Sequence, residues 1–552
     1  MRKAKIGIIV DSLTLTPYQQ TFIEMAEGSQ TYTIDCFIIQ KTPASNSNFS
    51  RLVKLLHQMN VKQIIDRLLF WVITKLESSF FKKYHRKRYG NTPSIANLPK
   101  VDHIWIEPLI SKSGFIYRYS DKDVAQLKGR ELDLLIRFGS GILRGEILHS
   151  SRYGILSFHH ADNDYNRGGP PGFWEVYHRN PKTGFILQLL SEELDGGDVI
   201  FKGNINTLPT YIMNKHNLYS KSSVFLHYNV ERLLKHKGKL PLYPKQPYSD
   251  RLFRTPPVSV QLSSLFFTLL FALSLLLKKT MRRTDKWSVA YQFCENWRDV
   301  VLHKSRIIKN PPNRFFADPF IVQREGRNFC FVEDYDFAEG KGKISVLELS
   351  PKGEEYLGVA LEDEFHLSYP FIFERDGDLF MCPETHATND IRVYRCREFP
   401  LKWELEKILI NDVDAADTSI FEINGKWWMF TNLCSAKIGD HNSELHIFSS
   451  TDLFKGHWTP HPLNPVIFDS ERGRNGGLIV EEGEIYRVFQ KHGWGVYGES
   501  CGVAKITNLT HKEYDEEIQF LLRPQFFKGI RGIHTFNQQN GVVVFDFLKP
   551  MK

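Results

Sequence analysis

The sequence is poor in the features that hold a metal or staple a secreted fold. Its seven cysteines, Cys36, Cys294, Cys330, Cys382, Cys396, Cys434 and Cys501, are odd in number and form no CxxC pair or other ligand spacing. Neither a disulfide framework nor a thiolate metal site is expected, and no metal is assigned. The opening MRKAK runs straight into IGIIVDS, without the longer apolar run and small-residue cleavage site of a secretory signal. The expectation is a cytoplasmic protein. No low-complexity tract is present either, and 42% hydrophobic with 24% charged residues excludes disorder and collagen-like repetition. With 552 residues the chain is long enough for two or three domains.

Charge of one sign is scarce overall, at +8, but it is concentrated. Residues 51–90 hold ten Lys or Arg against Asp66 and Glu77. Within them Ile64, Ile65, Leu68, Leu69, Val72, Leu76 and Phe80 recur at helical spacing beside Trp71, and FKKYHRKRYG follows. A basic amphipathic helix suits an anionic membrane surface, and a packed helix with a solvated basic tail explains the same pattern. Nucleic acid is not expected as a partner, because no nucleic-acid-binding motif accompanies the run. A second segment, Val258 to Leu277, has twenty residues without a charge, between Arg251 and Arg254 on one side and Lys278, Lys279, Arg282 and Arg283 on the other. Its six Ser, Thr and Gln residues and its basic flanks on both sides favour a helix on or in the cytoplasmic leaflet over one that spans it. A buried helix between domains is the other reading.

Before that segment, KIGIIVDS, YTIDCFIIQ, HIWIEPLI, LDLLIRFGS and YGILSFHH alternate with helical stretches, the pattern of a mostly parallel sheet with crossover helices. Ligands of such sheets sit at the carboxyl ends of strands. The richest polar cluster lies there: Ser157, His159 and His160, then ADNDYNRGGPPGFW, and later SEELDGGDVIFKG. Strand alternation points His160 away from the site.

Ser157-Phe158-His159, Arg167-Gly168, Pro171 to Trp174, Thr183-Gly184 and Glu193 to Asp198 resemble the formyltransferase domain of glycinamide ribonucleotide transformylase, methionyl-tRNA formyltransferase and the sugar N-formyltransferases. The likeness covers residues 100–205 closely and the first hundred loosely. It implies an α/β Rossmann-like fold and N10-formyltetrahydrofolate as co-substrate, with a formyl group passing to an amine. It also implies His159 as base, Asp195 as its orienting carboxylate, and Gly139, Ser140, Gly141 and Asp198 at the folate. The family has Asn where this chain has Ser157; a hydroxyl there keeps one hydrogen-bond donor for the developing oxyanion. After residue 206 a helix and a Pro- and Tyr-rich tail complete the first domain, with no strand series for the small barrel of the methionyl-tRNA enzyme.

From Lys286 the pattern changes to strands, with a repeat anchored on Gly326, Gly377, Gly425, Gly483 and Gly541, at intervals of 51, 48, 58 and 58 residues. Each copy reads as a hairpin, and each interval leaves room for about four strands. An all-β propeller of five blades is predicted. The copies begin at Asp318, Tyr369, Asp417, Asn475 and Ile533 and end at Glu333, Glu384, Asn432, Gln490 and Leu548; four of the five are polar at both positions, and that polar set near the axis is expected to hold a glycan. Arg472, Arg474 and Arg487 are candidates for a phosphate. This half resembles the arabinanase-type glycosidases and, more closely through ADPF, SYPF and a Trp-rich third copy, the propeller region of plant glucosamine inositolphosphorylceramide transferases. Asp318 matches the glycosidases' catalytic Asp, whereas Tyr369 stands where they have a second Asp.

The predicted organisation is residues 1–252, a linker helix over 253–285, and the propeller over 286–552. The functional expectation is a formyltransferase acting on an amino sugar for a surface polysaccharide or glycolipid, at the cytoplasmic face of the membrane, with the propeller gripping the glycan. The alternative is a membrane-associated glycosyltransferase or carbohydrate-binding protein whose formyltransferase half is degenerate.

Overall fold

The computed structural model describes residues 2–41, 60–80, 101–112, 114–193, 196–281 and 286–549. The chain divides into two compact units, 1–272 and 273–552. The division falls inside the apolar helix Val258–Met281, within the segment predicted as a linker.

The first unit runs β1 (Ala4–Val10), α1 (Pro17–Gly28), β2 (Tyr32–Gln40), α2 (Val61–Phe80), β3 (Asp102–Ile106), α3 (Asp121–Lys128), β4 (Leu134–Arg137), β5 (Ile155–His159), α4 (Phe173–Tyr177), β6 (Lys182–Leu189), β7 (Asp198–Asn206), α5 (Tyr211–Lys235) and α6 (Val258–Met281). Seven strands form one sheet in the order β7-β6-β5-β4-β1-β2-β3. β1 pairs in parallel with β2 and with β4, β2 with β3 and β4 with β5, while β6 and β7 form an antiparallel hairpin at the other edge. The near-continuous Ile, Leu and Val of the central strands are what burial on both faces requires. Ile6, Ile8, Ile9, Leu134, Leu135, Ile136, Ile155 and Leu156 are all at most 1% exposed. Strand order reverses between β1 and β4, which opens a crevice at their carboxyl ends. Thr16 closes a capping box with Gln19 at α1, and Ser120 accepts from the Asp123 N–H at α3, so both crossover helices start where their orphan N–H groups find oxygens.

Among the described residues the second unit is β-rich, with five antiparallel sheets. Four lie in chain order over residues 314–361, 368–411, 415–468 and 475–522. The fifth joins Phe536–Gln539 and Val542–Lys549 to Lys286–Phe293 and Arg306–Ile307. The strand Lys286–Phe293 pairs antiparallel with Val542–Lys549, so the two ends of the unit share one sheet.

Each predicted hairpin exists. Its glycine has φ of 71° to 83°, and the residue before it, Glu325, Asp376, Asn424, Glu482 or Asn540, is also left-handed at 43° to 54°. Two successive positive φ values define the turn whose twist matches paired strands. Backbone and side-chain bonds join neighbouring sheets. The Tyr369 N–H donates to Asp318 Oδ2 (3.2 Å), Tyr369 Oη meets Ser419 Oγ (3.1 Å), Asn475 Nδ2 donates to the Asp417 carbonyl (2.8 Å), and Asn537 Nδ2 donates to the Pro319 carbonyl (2.8 Å).

Candidate functional site

In the first unit the loops after β1 and β4 meet at the crevice. The Ser140 N–H donates to both carboxylate oxygens of Asp11 (3.0 and 2.8 Å), and Gln40 Nε2 donates to Asp11 Oδ1 (2.9 Å). A side chain at Gly139 would place its Cβ 2.4 Å from Gln40 Nε2, and one at Gly141, where φ is 81°, would enter the Tyr117 ring. These glycines therefore let protein approach protein; the space beside them is filled.

Arg137, at the end of β4, donates from Nη1 to Ser157 Oγ (3.2 Å) and from Nη2 to the Gly141 carbonyl, while its Nε is buried without an acceptor. Ser157 is 2% exposed. His159 ends β5 with Nε2 3.0 Å from the Asn166 carbonyl. A carbonyl can only accept, so that nitrogen carries the proton, and Nδ1 of the neutral ring keeps its lone pair. His160 turns the other way, as alternation predicts: its ring stacks on Tyr219 at 4.0 Å and its Nε2 reaches Ser222 Oγ at 3.1 Å.

Asp195 lies outside the described residues. Asp198 opens β7 and sits 3.7 Å from Lys245. A cavity of about 220 Å³ beside this turn is lined by Asn163, Arg167, Glu193, Gly197, Lys202 and Lys245, all close in sequence to the His159 loop or the 193–198 turn, or on the chain packed over them. A roomier one, lined by Arg2, Lys3, Asp133 and Arg152, is at the amino ends of β1 and β4, away from the polar cluster.

In the second unit the predicted polar residues do converge. Arg474 donates from Nε to Asp417 Oδ2 (2.6 Å), from Nη2 to Glu384 Oε2 (3.3 Å) and from Nη1 to Asn442 Oδ1 (3.3 Å). His386 Nδ1 donates to Glu384 Oε1 (3.0 Å). Burial works against the Glu384 charge, but His386 and Arg474 hold the carboxyl below the usual range. Burial, and then the charges of Asp318, Glu384, Asp546 and Asp417, push Glu333 well above that range; His366 Nε2 lies 3.6 Å from its Oε1. Glu333 and Glu384 are thus driven in opposite directions, the first towards the neutral form and the second towards the ionised one.

Asp318 is held from four sides. Its N–H donates to Asp546 Oδ2 (3.1 Å), Thr535 Oγ1 donates to its Oδ1 (2.8 Å), the Tyr369 N–H reaches its Oδ2, and His534 Nε2 lies 3.3 Å from its Oδ1. His534 Nδ1 is 2.7 Å from Asp546, and burial is outweighed by the two carboxylates, which raise the imidazole's pKa. Ligand atoms of Asp318, His534 and Asp546 lie within 4.8 Å of one another, a spacing a metal ion could use. The same two carboxylates favour the protonated ring, and an imidazolium between them would balance the acids.

Several expectations need correction. The fifth copy contributes His534, Thr535 and Asp546; Ile533 and Leu548 are core residues, Ile533 packing with Trp297 and Phe536 and Leu548 with Trp287 and Ala317. Tyr369 is 0% exposed, packs on Phe320 and supports Asp318 through its backbone, so it offers a ligand nothing. Asn475 likewise turns its amide to the Asp417 and Phe430 carbonyls. Arg487 is closed by a buried pair with Glu516 (2.6 Å) and is not a phosphate site, and Arg474 already lies between two carboxylates.

Sequence reasoning missed the rim: Tyr497, 38% exposed under Arg474, together with His366 and His386. For the fifth copy the available signals were Asp546 inside the apolar VVVFDFL and His534-Thr535 between Ile533 and Phe536. Asp318, Tyr369 and Asp417 each have φ of 46° to 47°, at a register shift of their strand. Strained non-glycine backbone repeated at one position of three sheets concentrates where the acids meet.

Comparison with known proteins divides along the same line. The family described as glucosamine inositolphosphorylceramide transferase 1, N-terminal, matches residues 280–539. The glucosamine inositolphosphorylceramide transferase 1 of Oryza sativa subsp. japonica is 38% identical over 210 residues, 37% of this chain and 28% of that protein. The methionyl-tRNA formyltransferase of Bacillus subtilis (strain 168) is 30% identical over 104 residues, 19% of this chain and 32% of that protein. The chain thus spans under a third of these relatives' length. Among solved structures, glycinamide ribonucleotide transformylase 1 from Symbiobacterium toebii has a TM-score of 0.29 at 13% identity, covering 42% of this chain and 89% of that one. A thermostable family-43 glycoside hydrolase has a TM-score of 0.31 at 15% identity, covering 38% and 77%.

Proposed function

We propose that the first unit transfers a formyl group from N10-formyltetrahydrofolate to the amine of an amino sugar, and that the second is a five-bladed propeller that binds the glycan carrying it. The observation that carries the reading is His159 with its Nε2 proton committed to the Asn166 carbonyl and its Nδ1 left basic, at the strand end where such sheets bind ligands. The attacking amine must lose a proton, and Nδ1 can take it. The oxygen of the reacting carbonyl becomes negative in the same step. Arg137, with a buried Nε that lacks an acceptor, is suited to that oxygen, and Ser157 is placed by Nη1 of the same guanidinium. N10-formyltetrahydrofolate would supply the formyl carbon; as the C–N10 bond breaks, the proton taken by His159 would pass to N10 and tetrahydrofolate would leave. Arg137 and Ser157 fit a formyl oxygen, whereas Gly139 and Gly141 do not cradle the cofactor, because side chains already fill the space beside them. Glu193, Lys202 and Arg167, around the 220 Å³ cavity, suit the polar groups of the acceptor.

For the second unit the reading is recognition of the glycan: its polar cluster of Asp318, Glu384, Asp417 and Arg474 offers hydrogen-bonding groups of the kind a sugar takes. One observation favours a second reading, glycosyl transfer in the second unit: the environments of Glu333 and Glu384 push their carboxyl pKa values in opposite directions, as an acid and base pair requires.

The test is incubation of purified protein with N10-formyltetrahydrofolate and a panel of amino-sugar nucleotides, with mass spectrometry for the added formyl group. His159→Ala should lower turnover at least about a hundredfold, the typical share of a general base. Near-normal turnover in that variant would sink the assignment. Asp318→Asn should leave formyl transfer to a minimal amino sugar intact while weakening glycan affinity by calorimetry; unchanged affinity would make the second unit a scaffold.

A further inference from the structure

The two helices singled out for their apolar residues share one body and turn the same kind of face outward. α2 and α6 are tied at Asp66: its Oδ1 accepts the Val258 N–H (2.9 Å), and its carbonyl accepts from Gln261 Nε2 (2.6 Å). Both place inward residues, Phe70 and Val260, against the cluster of Phe173, Trp174, Tyr211 and Phe253. The opposite face of α2 presents Ile65, Leu68, Val72 and Leu76 at steps of three and four residues with Trp71 beside them, all at least 42% exposed. On α6, Leu262, Phe266 and Leu269 repeat that spacing, at least 52% exposed. An exposed apolar face of this extent marks an interaction site.

The charges of α2 say what covers it. Its two carboxylates are both turned inward onto backbone: Asp66 caps α6, and Glu77 accepts the Ile212 N–H at the start of α5 (3.1 Å). Lys62, Arg67 and Lys75 are the charges of α2 that remain exposed, and Lys75 lies over the Trp71 ring at 5.6 Å. The outward face is therefore apolar and cationic, with no acid of its own helix to repel an anionic surface. Apolar residues that enter the acyl boundary, an indole at the boundary and lysines at the headgroups are the composition of an interfacial helix. Among the described residues no helix is long and apolar enough to cross a membrane. We infer that α2 and the first half of α6 form a platform that lies on an anionic lipid surface without spanning it.

The experiment is flotation of the full chain with phosphatidylcholine vesicles, with and without phosphatidylserine. Wild type should float with the mixed vesicles and much less with neutral ones, and added salt should reduce the difference. Leu68→Asp and Leu269→Asp, both at exposed positions, should each lower partitioning at least about tenfold, the share expected for losing one buried leucine and adding a charge. The triple change of Lys62, Arg67 and Lys75 to Glu should abolish the preference for phosphatidylserine. An unchanged circular-dichroism melt of each variant shows the fold is kept, and formyl transfer to a soluble amino sugar should be unaffected. Wild type that stays unbound to either vesicle overturns the proposal. So does a chain that forms dimers which the same leucine changes dissociate, because the occupant is then a second copy.

Discussion

At the residue scale, His160 shows how adjacent side chains of the same type acquire different chemistry from their environments. His159, on the crevice side, is placed by one backbone carbonyl; His160 is stacked between Phe158 and Tyr219 against α5, where desolvation, with His159 and Lys215 adding to it, pushes its pKa down to about 3. Its folded value lies below its unfolded one, so the neutral ring's contribution to stability is complete above the ordinary imidazole value. It is lost as pH falls from about 6.5 towards 3, because only the unfolded chain binds the proton there. Stability of the first unit should fall by up to about 1.4 kcal/mol per pH unit in that window from this group. Denaturant melts at pH 7 and pH 5, followed by near-ultraviolet circular dichroism, check the slope. His160→Gln, which can keep a hydrogen bond to Ser222 but does not titrate, should flatten it; an unchanged slope would place the acid sensitivity elsewhere. The SFHH run shows that two histidines end a strand, and alternation assigns their sides, but the partners that make one a base and the other a neutral ring come from Asn166 and α5.

At the element scale, the five hairpins are the part of the second unit most legible in the sequence, since a turn with two left-handed residues is a local requirement. Gly326 has φ of 72° with nothing within 4 Å of its absent Cβ, so backbone conformation is what restricts the position. Gly326→Ala should destabilise the unit by about 1 to 2 kcal/mol, the left-handed penalty for a residue with a side chain. Glu325→Asn, one residue earlier at φ of 52°, should be neutral or slightly stabilising, because Asn tolerates that conformation. Thermal denaturation of the pair separates turn strain from lost contacts: equal losses in both would contradict the account. The equivalence of strand ends was less legible. Counting from the glycine assigns Ile533 and Leu548 to the axis, but hydrogen bonding across sheets brings in Thr535, His534 and Asp546, and no local pattern encodes which of three consecutive residues meets a neighbouring sheet.

At the scale of the whole molecule, the first described strand of the second unit, Lys286–Phe293, pairs with its last, Val542–Lys549. Val289, Tyr291, Val542 and Val544 share one apolar cluster with Phe316 and Cys330 of the next sheet, so the seam is also core. Removal of residues 541–552 should therefore unfold the second unit as a whole rather than trim its edge. The first unit, with its own sheet and core, should keep its melting transition. Differential scanning calorimetry of the truncated and full chains distinguishes the outcomes: a second transition that survives truncation would show that the terminal strand is an ornament.

What the sequence determines by itself is local or periodic: the alternating strands and helices of the first unit, the left-handed hairpin turns of the second, the basic amphipathic helix and the uncharged segment. Each follows from neighbours a few residues apart, where backbone sterics and burial of one face decide the conformation. Only the tertiary structure decides which polar groups remain available. Asp66 and Glu77 are turned onto backbone N–H groups 192 and 135 residues away. Arg487 is matched by Glu516, Arg474 by Glu384 and Asp417, and Asp318 is held by residues more than 200 positions later in the chain. A buried charge keeps its chemistry only according to its partners, and those partners are brought together by strand pairing across distant parts of the chain.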